Sequence, residues 1–480
     1  MRKQLLIAGI ACGLWSFIQA QTLPSKQQVL DKMKLANTYF MTKWPDPTAS
    51  IVTNKTRPSN LWTRGTYYEG LMQLYYLTQD ATLLKYAVDW GTFHKWQPTY
   101  TGTVATRIAD NQCCFQTYLE LFQLDPTKTE RIATAQTSID VMVNSTKVND
   151  WWWIDAMHMA MPVFTKFGIV KNDNKYFEKM YALYNYTKNQ AKGVGLYNAA
   201  DSLWYRDSVY LPPTKSPNGL PVYWSRGNGW VFAALTRTLD VLPLAAPHRD
   251  EYVATFRQMA GKLIRIQRPD GFWNPNLGDP NDYGGKETSG TVFFTYGLAW
   301  GINHNLLDSA TYYPYVVKAW NGLIANALHT NGSLGWVQSA GSKPADGQPL
   351  SYTKMPDFDD FGLGGFLLAG SEVYKLVKTS NLNTGINNQD NNQLEFSAYP
   401  NPVTESIQIS FKPSSGKAIL EIINAAGQRV YTLNTECNNA VSFTWNGKTN
   451  SGKLLPNGLY IIQLQDGKQQ QAIKILLQKQ

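Results

Sequence analysis

Cysteine and histidine are scarce, with four and five residues among 480. Cys12 falls in an apolar leader, which leaves Cys113, Cys114 and Cys437 in the mature chain. Two adjacent cysteines and one distant one make no disulfide framework. The scattered histidines show no metal-ligand spacing, so neither a structural nor a catalytic zinc is expected. No apolar run is long enough to span a bilayer. The stretch Leu5 to Phe17 is too short, and with Arg2 and Lys3 before it and Ala20 after it, residues 1–20 read as a signal peptide. Gly9 stands where a lipoprotein leader would carry a branched apolar residue ahead of Cys12, which argues against lipidation. The chain is therefore expected to pass through the periplasm to the outside or the cell surface, with no stable membrane insertion. Its formal charge is +9, yet Lys and Arg never gather into a stripe, and no nucleic-acid partner is expected.

Aromatic residues are the louder signal, at 13 % of the chain with 16 Trp and 27 Tyr. Sugar rings present apolar C–H faces that stack on such planes, while Tyr and Trp keep a polar handle. Composition shifts near residue 380. Residues 379–394 are Asn-rich, polar and without periodicity, and read as a linker. Beyond it, residues 395–480 hold short alternating runs at Ser406–Phe411, Ala418–Ile423, Val441–Trp445, Leu459–Leu464 and Gln471–Leu476. Turn signals separate them, and the spacing predicts a small all-β sandwich.

The body, residues 24–378, carries apolar spacings of three and four instead. A polar cluster opening a long apolar helix recurs six times. It appears at Arg64–Glu69, Asp110–Gln112, Trp153–Asp155, Trp224–Trp230, Glu287–Gly290 and Asp357–Asp360. Helices with more polar faces, such as Asp80–Trp96 and Pro126–Val143, lie between. Six units of two helices predict an all-α (α/α)6 barrel; an open superhelix is the alternative. In a closed barrel the six openings converge on one pocket, where free helix N–H groups favour anions. Its expected lining is Arg64, Tyr67, Glu69, Asp110, Asp155, Trp224, Arg226, Trp230, Glu287 and Asp359.

An Asp at a helix start is ordinarily an N-cap. Asp155 is distinguished by its setting, between Trp151-Trp152-Trp153-Ile154 and Ala156-Met157-His158-Met159. Desolvation there would raise its pKa, and Asp110, if close, would push the same way. Two carboxyl groups with separated pKa values suit general acid/base work. Arg226 between Trp224 and Trp230 could grip a carboxylate while the indoles stack on its ring. Gly227-Asn228-Gly229 would let backbone approach that ligand. His158 reads as a core histidine satisfied by a neighbour. The segments Asp270–Trp273 and Asp279–Gly285 read as a loop over the pocket mouth, without calcium-ligand spacing.

Several motifs in order carry a resemblance. Trp62–Tyr75 (WTRGTYYEGLMQLY), Trp152–Pro162 (WWIDAMHMAMP), Tyr223–Trp230 (YWSRGNGW), Asp270–Trp273, Lys286–Gly301 (KETSGTVFFTYGLAWG) and Asp359–Glu372 (DDFGLGGFLLAGSE) resemble the unsaturated glycuronyl hydrolases of glycoside hydrolase family 105, related to family 88. The resemblance implies the (α/α)6 barrel, an acidic oligosaccharide as substrate and no cofactor or metal. It implies catalytic roles for Asp155 and Asp110. Trp224, Arg226 and Trp230, with Tyr67, Arg64 and Glu287, would then bind substrate. The implied chemistry is protonation of C4 of a 4,5-unsaturated uronate by Asp155. Water would add at C5, and Asp110 would stabilise the charge that develops there or orient that water. Leu196–Asp201 lacks a His that relatives acting on rhamnogalacturonan disaccharides carry, which bears on the departing sugar. The tail resembles the sorting domain of the type IX secretion system through Tyr399-Pro400-Asn401-Pro402, Asn457–Tyr460 and Lys474–Leu477, which implies that machinery as a partner. Two other readings of the body are an inverting glycosidase or lyase on the same barrel, and a glycan-binding surface protein without turnover.

Overall fold

The computed structural model describes residues 22–479 apart from 54, 100–104, 357, 359, 378–395, 400–402, 404, 412, 414–415, 425–427, 437–440 and 468. The leader, Cys437, Asp357, Asp359 and the linker at 379–394 therefore lie outside the described residues. The chain divides into two compact units, Met1–Ser380 and Asn381–Gln480.

Among the described residues the first unit is built of α1 (Lys26–Lys43), α2 (Trp62–Thr78), α3 (Ala81–Phe93), α4 (Ala109–Gln112), α5 (Phe115–Leu124), α6 (Glu130–Val143), α7 (Asp155–Lys171), α8 (Lys175–Asn185), α9 (Ser225–Val241), α10 (Arg249–Arg265), α11 (Thr288–Asn303), α12 (Ser309–Asn326) and α13 (Asp360–Leu376). Helices α2, α4–α5, α7, α9, α11 and α13 pack side by side, and α13 returns to α2. Each of α3, α6, α8, α10 and α12 lies on the inner helix before it, while α1 covers α13. This closed double ring is the (α/α)6 barrel, not the open superhelix.

Burial explains the two sequence patterns. Every residue of α9 from Ser225 to Leu239, and of α11 from Thr288 to Ile302, is buried, as expected for helices apolar on all sides. Outer α10 buries Tyr252, Thr255, Phe256, Met259, Ala260 and Leu263, one stripe at helical spacing. Side-chain caps are found on some helices of each ring, Glu287 on inner α11 among them, and are lacking on outer α6, α8 and α10. Outer α1, α3 and α12 are capped by Ser25, Asp80 and Asp308, whereas inner α2, α7 and α9 start without a side-chain cap.

Ring closure between α2 and α13 depends on glycine. A Cβ on Gly364 would stand 2.2 Å from Thr66 O, and one on Gly70 2.4 Å from Gly364 O. Gly364→Ala must push the two helices apart. It should lower the stability of this unit by about 1–3 kcal/mol, the usual range for an overpacked core. A shift of the denaturant midpoint to lower concentration checks this; an unchanged midpoint would contradict the close crossing.

Charge is also buried inside the ring. Lys166 Nζ lies 2.5 Å and Arg237 Nη2 2.8 Å from Glu120 Oε1. Arg237 Nε is 2.8 Å from Gln116 Oε1 and 3.5 Å from Glu69 Oε2, and His158 Nε2 is 3.0 Å from that same Glu69 oxygen. The group ties α2, α5, α7 and α9 together. His158 is thus a core histidine held by a carboxylate, as its place in the sequence suggests. Cys113 and Cys114 are buried free thiols.

The second unit is antiparallel throughout its named strands. One sheet orders Gln469–Leu477, Gly458–Asp466, Ala418–Asn424 and Arg429–Thr435; the other orders Phe396–Tyr399, Ile407–Phe411 and Val441–Trp445. The strands at 396–399 and 429–435 go beyond the runs expected from the sequence. Ile407, Ile409, Phe411, Leu420, Ile422, Ile462 and Leu464 alternate inward and form the core.

Candidate active site

The six inner openings do meet at one end. Arg64 Nε pairs with Asp360 at 3.0 Å across α2 and α13, and Arg226 Nη1 reaches Ser289 Oγ at 3.2 Å across α9 and α11. Most of the polar residues so gathered are buried against one another. The open part of this end is a cleft of about 430 Å³ beside α4 and the start of α7. It is lined by Asp110, Trp152, Trp153 and Arg206, with Arg107, Lys147 and Asp150 among the others.

Asp155 opens α7 with its side chain nearly covered, and meets the cleft-lining Arg206. Arg206 Nε donates to Asp155 Oδ2 at 3.1 Å, and Arg206 Nη1 to Asp207 at 2.7 Å. Burial raises the Asp155 pKa, while Arg206 and then Arg226 act against the rise. Asp110 is half-buried in the first turn of α4. Burial pushes it up to about 7, with help from the charge of Asp155 and opposition from Arg206. The charge of Asp155 thus reaches Asp110, and Arg206 acts on both.

Arg206 was not legible as a site residue, because it lies on an extended strip rather than at a helix opening. The strip is fixed from three sides. Ile154 N–H donates to Arg206 O at 3.0 Å, Tyr205 N–H to Leu196 O at 2.9 Å, and Trp204 N–H to Asn228 Oδ1 at 2.9 Å. Asn228 returns its amide to Trp204 O and Trp224 O. Asn228 of the Trp224–Trp230 motif thus clamps the segment that presents Arg206 to Asp155. A second cleft of about 630 Å³ is lined by Tyr197, Asn198, Ala199, Tyr205 and Ser208, so the segment lacking the relatives' His borders open space.

The remaining expected ligand groups are placed otherwise. Arg226 is fully buried, and its Nη1 and Nη2 donate to Gln338 O and Ser339 O at 2.8 and 2.7 Å. Its guanidinium stacks over Trp224 at 4.4 Å and Phe361 at 4.8 Å. Both terminal nitrogens already have acceptors, so the expected bidentate grip on a ligand is not available in this arrangement. Trp224 Nε1 is taken by Gln338 Oε1 at 2.8 Å, and Trp230 is buried against His158 and Phe293. Glu287 caps α11, accepting from Ser289 N and Gly290 N at 2.7 and 2.6 Å. Tyr67 donates to Asn37 at 2.8 Å deep in the core, and Arg64 lies over Phe40 and Trp44. Glu69 belongs to the buried group around Arg237. Gly227 and Gly229 make room for protein rather than ligand: a Cβ would meet Trp224 at 2.8 Å and Phe293 at 3.2 Å respectively. The loop expected over the mouth is pinned, with Asp279 held by Ser216 at 2.6 Å and Asn218 at 2.9 Å.

The glycosyl hydrolase family 88 model matches residues 32–377. The chain belongs to that family. The family 88 body, a glycoside hydrolase, is followed by a secretion-system C-terminal sorting domain matched at 397–478. That domain directs export by type IX secretion to the cell surface or the extracellular space. Among the described residues no helix is long and apolar enough to cross a membrane. An unsaturated 3S-rhamnoglycuronyl hydrolase of Formosa agariphila is 34 % identical over 334 residues, 66 % of this chain and 84 % of the relative. The solved structure of a glycosyl hydrolase family 88 protein of Bacteroides vulgatus is 33 % identical with a TM-score of 0.67, covering 74 % of this chain and 100 % of that one. A polysaccharide lyase is 34 % identical with a TM-score of 0.66, covering 73 % and 97 %.

Proposed function

We propose that this family 88 protein, within its family 105 branch, releases the terminal 4,5-unsaturated uronate from lyase-generated oligosaccharides in which rhamnose follows the uronate. One observation carries the reading: Asp110 and Arg206 line one cleft, and Arg206 Nε holds the nearly covered carboxylate of Asp155 at 3.1 Å. Near pH 7 Asp110, pushed up to about 7, is partly protonated. Arg206 favours the ionised form of Asp155 and so opposes the rise that burial gives it. A uronate carboxylate arriving at Arg206 weakens that preference, and the proton demand moves to Asp155. Asp155 then protonates C4, the ionised Asp110 faces the positive charge at C5 and the ring oxygen, and water adds at C5 while giving up a proton to the carboxylate pair. The hemiketal so formed collapses and frees the departing sugar. Trp152, 55 % exposed, offers a face for a sugar ring. Trp224, Arg226, Trp230, Tyr67, Arg64 and Glu287 act behind the cleft, holding the inner helix starts in place.

The resemblance to a polysaccharide lyase supports a second reading, in which the same carboxylates cleave by elimination. The two reactions move the ultraviolet absorbance of the C4=C5 bond in opposite directions. With lyase-treated ulvan or rhamnogalacturonan oligosaccharides the absorbance should fall. A rise on intact polysaccharide, with no fall on pretreated material, would establish elimination instead.

A further inference from the structure

Arg206 stands between two carboxylates. Its Nε donates to Asp155 Oδ2 at 3.1 Å and its Nη1 to Asp207 Oδ2 at 2.7 Å. Its Nη2 has no acceptor among the described residues, and the side chain lines the cleft. Burial works against the charge of Arg206, while Asp155 and then Asp207 outweigh it. The proposed chemistry accounts for the contact with Asp155. It does not account for Asp207, whose side chain is 9 % exposed and is no part of the cleft lining. Asp207 is itself held in place. Its backbone is extended, and its Oδ1 accepts from Val209 N–H at 2.8 Å to cap the 3-10 turn Ser208–Tyr210. Tyr210 N–H donates to Asp207 O at 3.2 Å, and Ile154 N–H to Arg206 O at 3.0 Å. Both partners are thus anchored through the backbone, and Asp207 Oδ2 is left for the guanidinium.

A guanidinium that meets a single carboxylate favours the two-bond fork over one bond. Here Asp155 receives one bond, because the far side of Arg206 is drawn to Asp207. Turning Nε and Nη2 onto both Asp155 oxygens would fix Asp155 as the anion. It would also spend the nitrogen left over for a ligand. The other charges acting on this group are Asp110 on α4 and Arg226 on α9, with Asp346 near Arg226. The Tyr210 hydroxyl feels Asp207, Asp346 and Arg206. Among the described residues, Asp155 and Asp207 alone accept from the Arg206 side chain.

Resting on the uronyl hydrolase reading, we propose that Asp207 is a positioning residue. It draws one edge of Arg206 away from Asp155, so that Asp155 can carry a proton to C4 and Nη2 can meet the uronate. Asp207→Asn tests this, because Asn caps a turn as well as Asp does but turns an amide nitrogen, which cannot accept, towards Arg206. Tm should stay near that of the wild type. On an unsaturated disaccharide, kcat/KM should fall roughly tenfold at pH 8, the factor for one unit in the titration of the acid. The loss should shrink towards pH 5, where an Asp155 held more strongly as the anion regains its proton. No loss, a loss equal at both pH values, or one matched by a fall in Tm overturns the proposal. Removing the charge of Asp207 would shift the titration the same way without any turn of Arg206, so a crystal structure of Asp207→Asn is the second measurement. Two bonds from Arg206 to the Asp155 oxygens support the positioning role; Arg206 left on its single Nε contact overturns it. If the wild type turns over no unsaturated disaccharide, the hydrolase reading fails by itself, and the variant's structure alone decides whether Asp207 positions Arg206.

Discussion

Asp155→Asn is expected to lower kcat by about 10²–10⁴-fold, the usual contribution of a positioned acid, while leaving the barrel intact. Asn keeps the shape and can still accept a hydrogen bond from Arg206, so a folding defect would not explain the loss. Circular dichroism and Tm should stay close to those of the wild type. A rate within tenfold of the wild type would remove Asp155 from the chemistry. The pH profile gives a second readout. Asp110 is pushed up to about 7, so the free enzyme keeps the pair's proton below that pH and loses it above. Because the reaction consumes that proton at C4, kcat/KM should fall about tenfold per pH unit above about 7. Asp110→Asn should move this alkaline limb to lower pH, because the titration of Asp155 alone then sets it. A profile flat from pH 6 to 9 would contradict a shared proton.

The barrel could be read from sequence because each inner helix announces itself twice, by an apolar run and by a polar opening. Asp110 and Asp155 could be read because a carboxylate among tryptophans is unusual in any setting. The other openings misled for one physical reason. In a closed ring the starts of neighbouring helices face each other, so Arg64 finds Asp360 and Arg226 finds Ser289 and the Gln338 and Ser339 carbonyls before any ligand can. Uncapped helix ends at Leu61, Ile154 and Trp224 look alike in sequence. Trp153, next to Ile154, lines the open cleft together with Arg107, Asn149, Asp150 and Trp152, whereas Leu61 and Trp224 are not part of that lining. Arg206 carries no helical signature. Its place is set by Asn228, a residue 22 positions later whose side chain makes a cross-chain clamp.

Arg237→Met should be the most damaging single change to stability. Arg237 Nη2 lies 2.8 Å from Glu120 and Nε 3.5 Å from Glu69, all with side chains under a tenth exposed. Burial works against its charge, but Glu69 and Glu120 outweigh burial and hold it protonated. For Glu69 burial favours the neutral acid, yet His158 and Arg237 outweigh it and bring its pKa below 4.5. Met fills the space and removes the charge, leaving Glu69 and Glu120 with only His158 and Lys166. Breaking one side of a buried ionic group costs about 3–5 kcal/mol. The sign of the pH dependence follows from Glu69. A carboxylate with a lowered folded-state pKa adds stability above 4.5 and loses it as pH falls through its folded-state value. The deficit of Arg237→Met should therefore be full at pH 7 and shrink in acid below about 4.5, where an unpaired Glu69 takes up a proton. Chemical denaturation at pH 7 and pH 4 measures both quantities. A deficit under about 1 kcal/mol at pH 7, where buried partners would be left unpaired, would mean that the four inner helices are held by their apolar faces alone.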